Sequence, residues 1–145
     1  MRRLTSAVGI VSARGADGPV GMSATSITSL TADPPTLLLC INRKAGLHAC
    51  LAPGAHLCVS LLSRHQREVS IAFGGALPRE ARFGVGGWSP DGNGLPSLHE
   101  AQANLSCTID RLMPYGTHSV VIARVDLVKV SDDVAPLLYQ DGDYL

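Results

Sequence analysis

Short apolar stretches and polar breaks follow one another closely along the chain, a spacing that suits strands and leaves little room for helix. Residues 7 to 13 and 19 to 25 are β-prone, and Ala16-Asp17-Gly18-Pro19 between them has the composition of a hairpin turn. Thr36 to Ile41 and His56 to Leu62 are almost unbroken apolar runs of strand length, bounded by breakers, and read as central strands. Leu105, Cys107 and Ile109 alternate with Ser106, Thr108 and Asp110, the period of a half-buried strand. A turn at Pro114-Tyr115-Gly116 then leads into a long strand over 117 to 130, and Gln140-Asp141-Gly142-Asp143 makes a last turn flanked by Tyr139 and Tyr144.

Helical signals occur twice. Residues 44 to 52 predict about two turns stopped by Pro53-Gly54, and residues 64 to 73 predict a second helix with Ser63 as N-cap and Gly74-Gly75 as terminator. The glycine-rich stretch 84 to 94, anchored by Trp88, reads as a surface loop. Many short strands with two short helices predict a mainly β protein, a small Greek-key barrel. At 145 residues it is one domain, 1–145, large enough to bury a core without disulfides.

Charge narrows the function classes. Twelve basic and twelve acidic residues cancel, so no global field draws nucleic acid or an anionic membrane, and any anion must be held by local groups. Aromatics at 4% are too few for a single-strand stacking groove. No apolar run approaches a membrane span, and Ser6, Gly9 and Ser12 interrupt the N-terminal stretch that superficially suggests a signal peptide. A soluble cytoplasmic protein is expected, with Cys40, Cys50, Cys58 and Cys107 as reduced thiols.

Candidate chemistry gathers in three places. Residues 21 to 31 carry six hydroxyl side chains just before Pro34-Pro35. Hydroxyls with backbone N–H groups can hold a phosphate or the polar edge of a heterocycle, though the same composition serves an ordinary strand and turn. Asn42-Arg43-Lys44 opens the first predicted helix, where amides and two cations could meet a phosphate or simply be solvated. His118 stands at the start of a strand beside a turn, where an imidazole can reach a ligand or play a structural part. His48-x-Cys50 and His56-x-Cys58 do not have metal-clasp spacing, so no metal is expected. GxGxxG, GxxxxGK[ST] and GxSxG are all absent, which excludes the Rossmann way of binding a nucleotide.

Six stretches in order, "VGMSATSITSLTADPPTLLLCINR" (20–43), "HLCVSLLSRHQREVSIAFGG" (56–75), "RFGVGGW" (82–88), "GLPSLHEAQANLSC" (94–107), "PYGTHSVVIARV" (114–125) and "PLLYQDGDY" (136–144), resemble the flavin reductase family. Its members are small FMN-binding-type split β-barrels that serve two-component flavin monooxygenases. The resemblance implies an NAD(P)H-dependent reduction of FMN or FAD, with NADH or NADPH as donor and an oxygenase receiving the reduced flavin. A flavin carrier of the same fold without fast reductase activity is the alternative. It implies that Met22, Ser23, Ala24, Thr25, Ser29, Leu30 and Thr31 wrap the isoalloxazine and ribityl chain, with Pro34-Pro35 bracing the exit of that strip. By the same resemblance Asn42, Lys44, Ala45, Gly46 and His48 reach the phosphate, Leu62, Ser63 and Phe83 border the ring, and His118 is the catalytic histidine near the rings. A homodimer is also implied. Gly46 departs from the family pattern, since many relatives carry a serine there, so one hydroxyl contact to the phosphate is replaced or lost.

Overall fold

A computed structural model describes all 145 residues. Twelve strands account for most of the ordered backbone: β1 (Ser6–Ala7), β2 (Gly9–Gly15), β3 (Gly18–Ala24), β4 (Ile27–Ala32), β5 (Pro35–Asn42), β6 (His56–Leu61), β7 (Trp88–Pro90), β8 (Pro96–Leu98), β9 (Ala103–Tyr115), β10 (His118–Val130), β11 (Leu138–Gln140) and β12 (Asp143–Tyr144). Seven of them form one sheet in the order β3-β2-β6-β9-β10-β5-β4, antiparallel at every pairing. The rest form a three-stranded sheet, β1-β11-β12, and a small β7-β8 hairpin.

The order of the large sheet dictates its shape. Its two edge strands, β3 and β4, are consecutive in sequence and joined only by Thr25 and Ser26. From Ala24 to Ile27 the backbone reaches at most about 11 Å, whereas a flat sheet of this many strands would hold its edges about 29 Å apart. The sheet therefore curls, assisted by irregularities in the β9–β10 ladder at Ile122/Ala123 and Val125/Leu127. A methyl built on Gly9 of β2 would come within 2.7 Å of Ile27 Cδ1, so the β4 side chain reaches across to the β2–β3 end of the sheet. No ladder joins β3 to β4, and the curled sheet stays split there, mainly β as the sequence predicts but not a closed barrel.

Period-two alternation sorts side chains into two cores. Val11 and Ala13 of β2, Leu57 and Val59 of β6, and Ile109, Val121, Leu39 and Ile41 fill the inside of the curl. Val8, Ile10 and Leu62 point the other way and pack with Val69, Ala72, Phe73, Leu98 and Leu137. Strand β2 is consequently buried on both faces, while β4 is exposed along almost its whole length.

Several boundaries depart from the sequence expectations. The helix expected over 44 to 52 is a single 3-10 turn, Gly46–Cys50, because Ala45 is extended (φ −67°, ψ 140°) and Asn42 draws the Lys44 N–H onto its Oδ1 at 2.9 Å. The second helix, α1, spans only Arg67–Ile71 and widens into a π turn over Ala72–Ala76, where Gly75 takes φ 113°. Ser63 is not its N-cap: Ser63 bridges to Pro136, and its N–H donates to Gln66 Oε1. The stretch expected as a plain loop is built as well. It contains β7 and β8, and Asp91 Oδ1 accepts from the Asn93 and Leu95 N–H groups between them. Pro34-Pro35 closes the β4–β5 hairpin around a cis Asp33-Pro34 bond. No helix is long and apolar enough to cross a membrane.

Candidate functional site

Strand β3 is an edge, and its outer side is where backbone groups are free. The β2–β3 hairpin closes on Gly15 and Gly18 around a two-residue turn, with unshifted register back to Gly9 and Ala24. In such a ladder alternate residues turn both their N–H and C=O outward. Pro19, Gly21 and Ser23 are the outward set, consistent with proline tolerated at Pro19 and with the Gly21 carbonyl accepting from Arg82 Nη1 at 2.9 Å. The register turns the Gly21 and Ser23 N–H groups away from β2, toward the open side of the strand.

A cleft of about 380 Å³ opens on that edge, lined by Val20 to Ser23, Lys44 to Leu47, Phe73 to Gly75, Arg79 and Arg82. Three cations and no carboxylate line it. Two glycines let its walls approach closely: a methyl on Gly21 would sit 2.9 Å from Phe73 Cε1, and one on Gly74 would lie 3.3 Å from Ser23 Oγ. Phe73 forms one wall and is itself wedged edge-on against Phe83 (centroids 5.0 Å) and tilted against Trp88 (5.3 Å). Arg82 is committed to the framework, donating through Nε to the Leu77 carbonyl as well as to Gly21. Lys44 and Arg79 form no ion pair. A second cleft, of about 450 Å³, adjoins the first through Ser23 and Gly74 and continues along β3 past Ala24 and Thr25 to Ser70 and Tyr144. The two make a trough beside the strand edge.

Of the residues singled out in sequence, Met22, Ser23, Lys44, Ala45 and Gly46 come together in the first cleft, and Ala24 and Thr25 continue into the second. Asn42 stands behind them, holding the Lys44 amide. Ser29, Leu30 and Thr31 lie elsewhere, exposed on β4, with Thr31 Oγ1 turned to the Asp33 backbone. His48 bonds Ser119 Oγ through Nε2 at 2.9 Å. Leu62 is fully buried in the second core, Ser63 borders a separate cleft on the α1 side, and Phe83 supports Phe73 from below. His118 is exposed at the first position of β10, paired with Asn42, its Nδ1 2.8 Å from Thr117 Oγ1. Buried Ser119 shows which way the barrel interior lies, so the imidazole points outward. Arg43 turns to the Gly116 carbonyl, leaving Lys44 as the one cation of that pair at the cleft.

Phe73, Gly74, Gly75, Arg79 and Arg82 were not legible as site residues. The glycine pair reads as a helix stop, and nothing in the local pattern ties the two arginines to β3, some sixty positions earlier.

The fit to a flavin phosphate ester rests on these features: a cleft walled by glycines and an aromatic ring, backbone donors turned outward along its edge, and three cations with no carboxylate in its lining. The whole chain, residues 1–145, matches the model of the flavin reductase like domain. It is 37% identical over 144 residues to the FMN reductase (NADH) RutF of Stutzerimonas stutzeri, covering 99% of this chain and 83% of that protein. It is also 37% identical over 146 residues to the reductase component of an FADH(2)-dependent resorcinol hydroxylase from a Rhizobium species, covering 99% and 82%. Among solved structures it is similar to the Streptomyces globisporus NADH:FAD oxidoreductase SgcE6 in complex with NAD and FAD fragments. That match has a TM-score of 0.91 at 26% identity and covers 99% of this chain and 86% of that one.

Proposed function

The chain belongs to the flavin reductase family, and from that premise we propose that it uses NADH to reduce free FMN and passes the reduced flavin to a partner oxygenase. One observation carries the reading: the open β3 edge, with the Gly21 and Ser23 N–H groups turned outward, runs directly into a cleft whose only charged residues are cations. Relatives named FMN reductase (NADH) and the reductase component of a hydroxylase support flavin, donor and recipient.

When both rings are bound, a hydride with its two electrons passes from the nicotinamide to the flavin, chemistry that belongs to the cofactors. The chain holds and aims. The Gly21 and Ser23 amides, with the Ser23 and Thr25 hydroxyls, meet the polar edge of the ring and stabilise negative charge that develops there. Phe73 and Met22 supply the apolar wall. Lys44 faces the phosphate, and Asn42 orients the backbone that carries it. Arg82 clamps Gly21 and so fixes the direction of the free donors. His118, outside the cleft, acts on the nicotinamide side. Leu62 and Phe83 work from the core, keeping β3 and Phe73 in place.

Ser29, Leu30 and Thr31 on the unpaired edge of β4 are available to a second copy, which supports a homodimer as the working unit. All four cysteines are free thiols, which agrees with a cytoplasmic location.

The test is to mix protein, FMN and NADH under nitrogen and follow the flavin band at about 450 nm. Catalytic bleaching is the expected result. Bound flavin that stays oxidised would make the protein a carrier instead, and absence of flavin uptake would remove the reading altogether. Repeating the rates with FAD and NADPH ranks the cofactors.

A further inference from the structure

We infer that Arg79 is the residue that gives this site its preference for a phosphorylated flavin, and that Gly46 is what seats it. The inference rests on the flavin reading above and assigns a residue within the same site.

Arg79 and Gly46 meet across the mouth of the cleft. A Cβ built on Gly46 would lie 2.5 Å from Arg79 Cζ and 2.8 Å from both Nε and Nη2. Real Cβ atoms do not approach that closely, so the guanidinium lies against the Cα of residue 46 in space that any other residue would occupy. Gly46 has no positive φ that would call for glycine. The backbone there would accept a side chain, and the group that side chain would displace is the flexible end of Arg79.

Arg79 also has nothing else to do in the chain. It takes part in no hydrogen bond to a side chain or carbonyl and in no ion pair, whereas Arg82, three residues on, spends Nε and Nη1 on two carbonyls. The Arg79 fork therefore keeps its donors at a cleft with no carboxylate in its lining, and the Asp17 and Glu80 carboxylates of the cleft on its other side do not pair with it. A planar guanidinium matches two phosphate oxygens at once, which the point charge of Lys44 cannot do. Arg79 lines a second cleft of about 380 Å³ as well, bounded by the β2–β3 turn, Gly46 and Cys50. The guanidinium stands at the junction of the two, since Val20, Gly46 and Arg79 line both.

The experiment is fluorescence titration of the full chain with FMN and with riboflavin, which differ only in the phosphate. The quantity read is the ratio of the two dissociation constants. Arg79→Ala is expected to lower the preference for FMN by about tenfold or more while leaving riboflavin binding unchanged, and unchanged riboflavin binding doubles as the check on folding. Arg79→Lys keeps the charge but loses the fork and should fall between. Gly46→Ala, with Arg79 present, should lower the same ratio by displacing the guanidinium. An unchanged ratio in Arg79→Ala, or an equal loss of both ligands, overturns the assignment while leaving the flavin reading intact. Failure of the unaltered protein to bind either ligand overturns both.

Discussion

Cys58 and Cys107 lie on β6 and β9, and burial pushes both thiols up to about 12, with the Asp91 charge adding to the rise at Cys58 and Cys58 and Asp126 adding at Cys107. A thiol whose folded pKa exceeds its unfolded one binds its proton more tightly in the native state. Stability from that source is complete below pH 9.0 and is lost as pH climbs toward about 12. Urea unfolding should therefore show stability falling through that window, and a Cys58→Ala/Cys107→Ala variant should show a shallower fall. Thiol reagents at neutral pH should label Cys40 and Cys50, which are half-buried, and spare the other two. At His118 the expected effect is kinetic: His118→Ala should lower the rate of flavin reduction about tenfold or more while changing the FMN dissociation constant little. Stopped-flow reduction at an unaltered rate would take His118 out of the mechanism. The residue scale is also where sequence reading reached least far. Ser23 and Lys44 stand out because their side chains carry obvious chemistry, but Arg79 acquires meaning only from a glycine thirty-three positions away.

Elements were legible in proportion to how much of their identity is local. The β5 and β6 runs are apolar enough to announce themselves, and the alternation of 105 to 110 is what puts Cys107 and Ile109 into the core. The short hairpin β7–β8 was not legible, since its stability comes from outside. Asn104 on β9 donates through Nδ2 to the Leu98 carbonyl, accepts the Leu98 N–H on Oδ1, and shares that oxygen with the Ser60 hydroxyl. Asn104→Ala would leave the buried Leu98 carbonyl without its donor and the Leu98 N–H with only the longer bond to Ser60 Oγ at 3.4 Å, at a cost of about 1–3 kcal/mol. The urea midpoint should fall accordingly. Because β8 buttresses Trp88 and hence Phe73, flavin affinity should fall with it. The helices were misjudged for the same reason in reverse: propensity over 64 to 73 is real, but Ser63 is taken by Pro136 and Gln66 by the His99 carbonyl, so the helix starts three residues late.

At the scale of the molecule, the fold class followed from strand count and spacing, whereas the split followed from nothing local. It arises because β3 and β4 are neighbours in sequence and opposite edges in space, tied by Thr25-Ser26. Inserting two glycines in that tie leaves every ladder intact and costs little loop entropy, yet it frees the edges to drift apart. The expected result is a small change in Tm and a much larger loss of FMN affinity, both measurable on one preparation. The unpaired side of β3 has a consequence for handling too. Until an aromatic guest arrives, Ser23 offers its amide to whatever strand comes near, and other copies are the commonest candidates in a concentrated solution. Protein stored without FMN should scatter more light over days than the same stock kept with it, the ligand acting as a removable bandage on a raw seam.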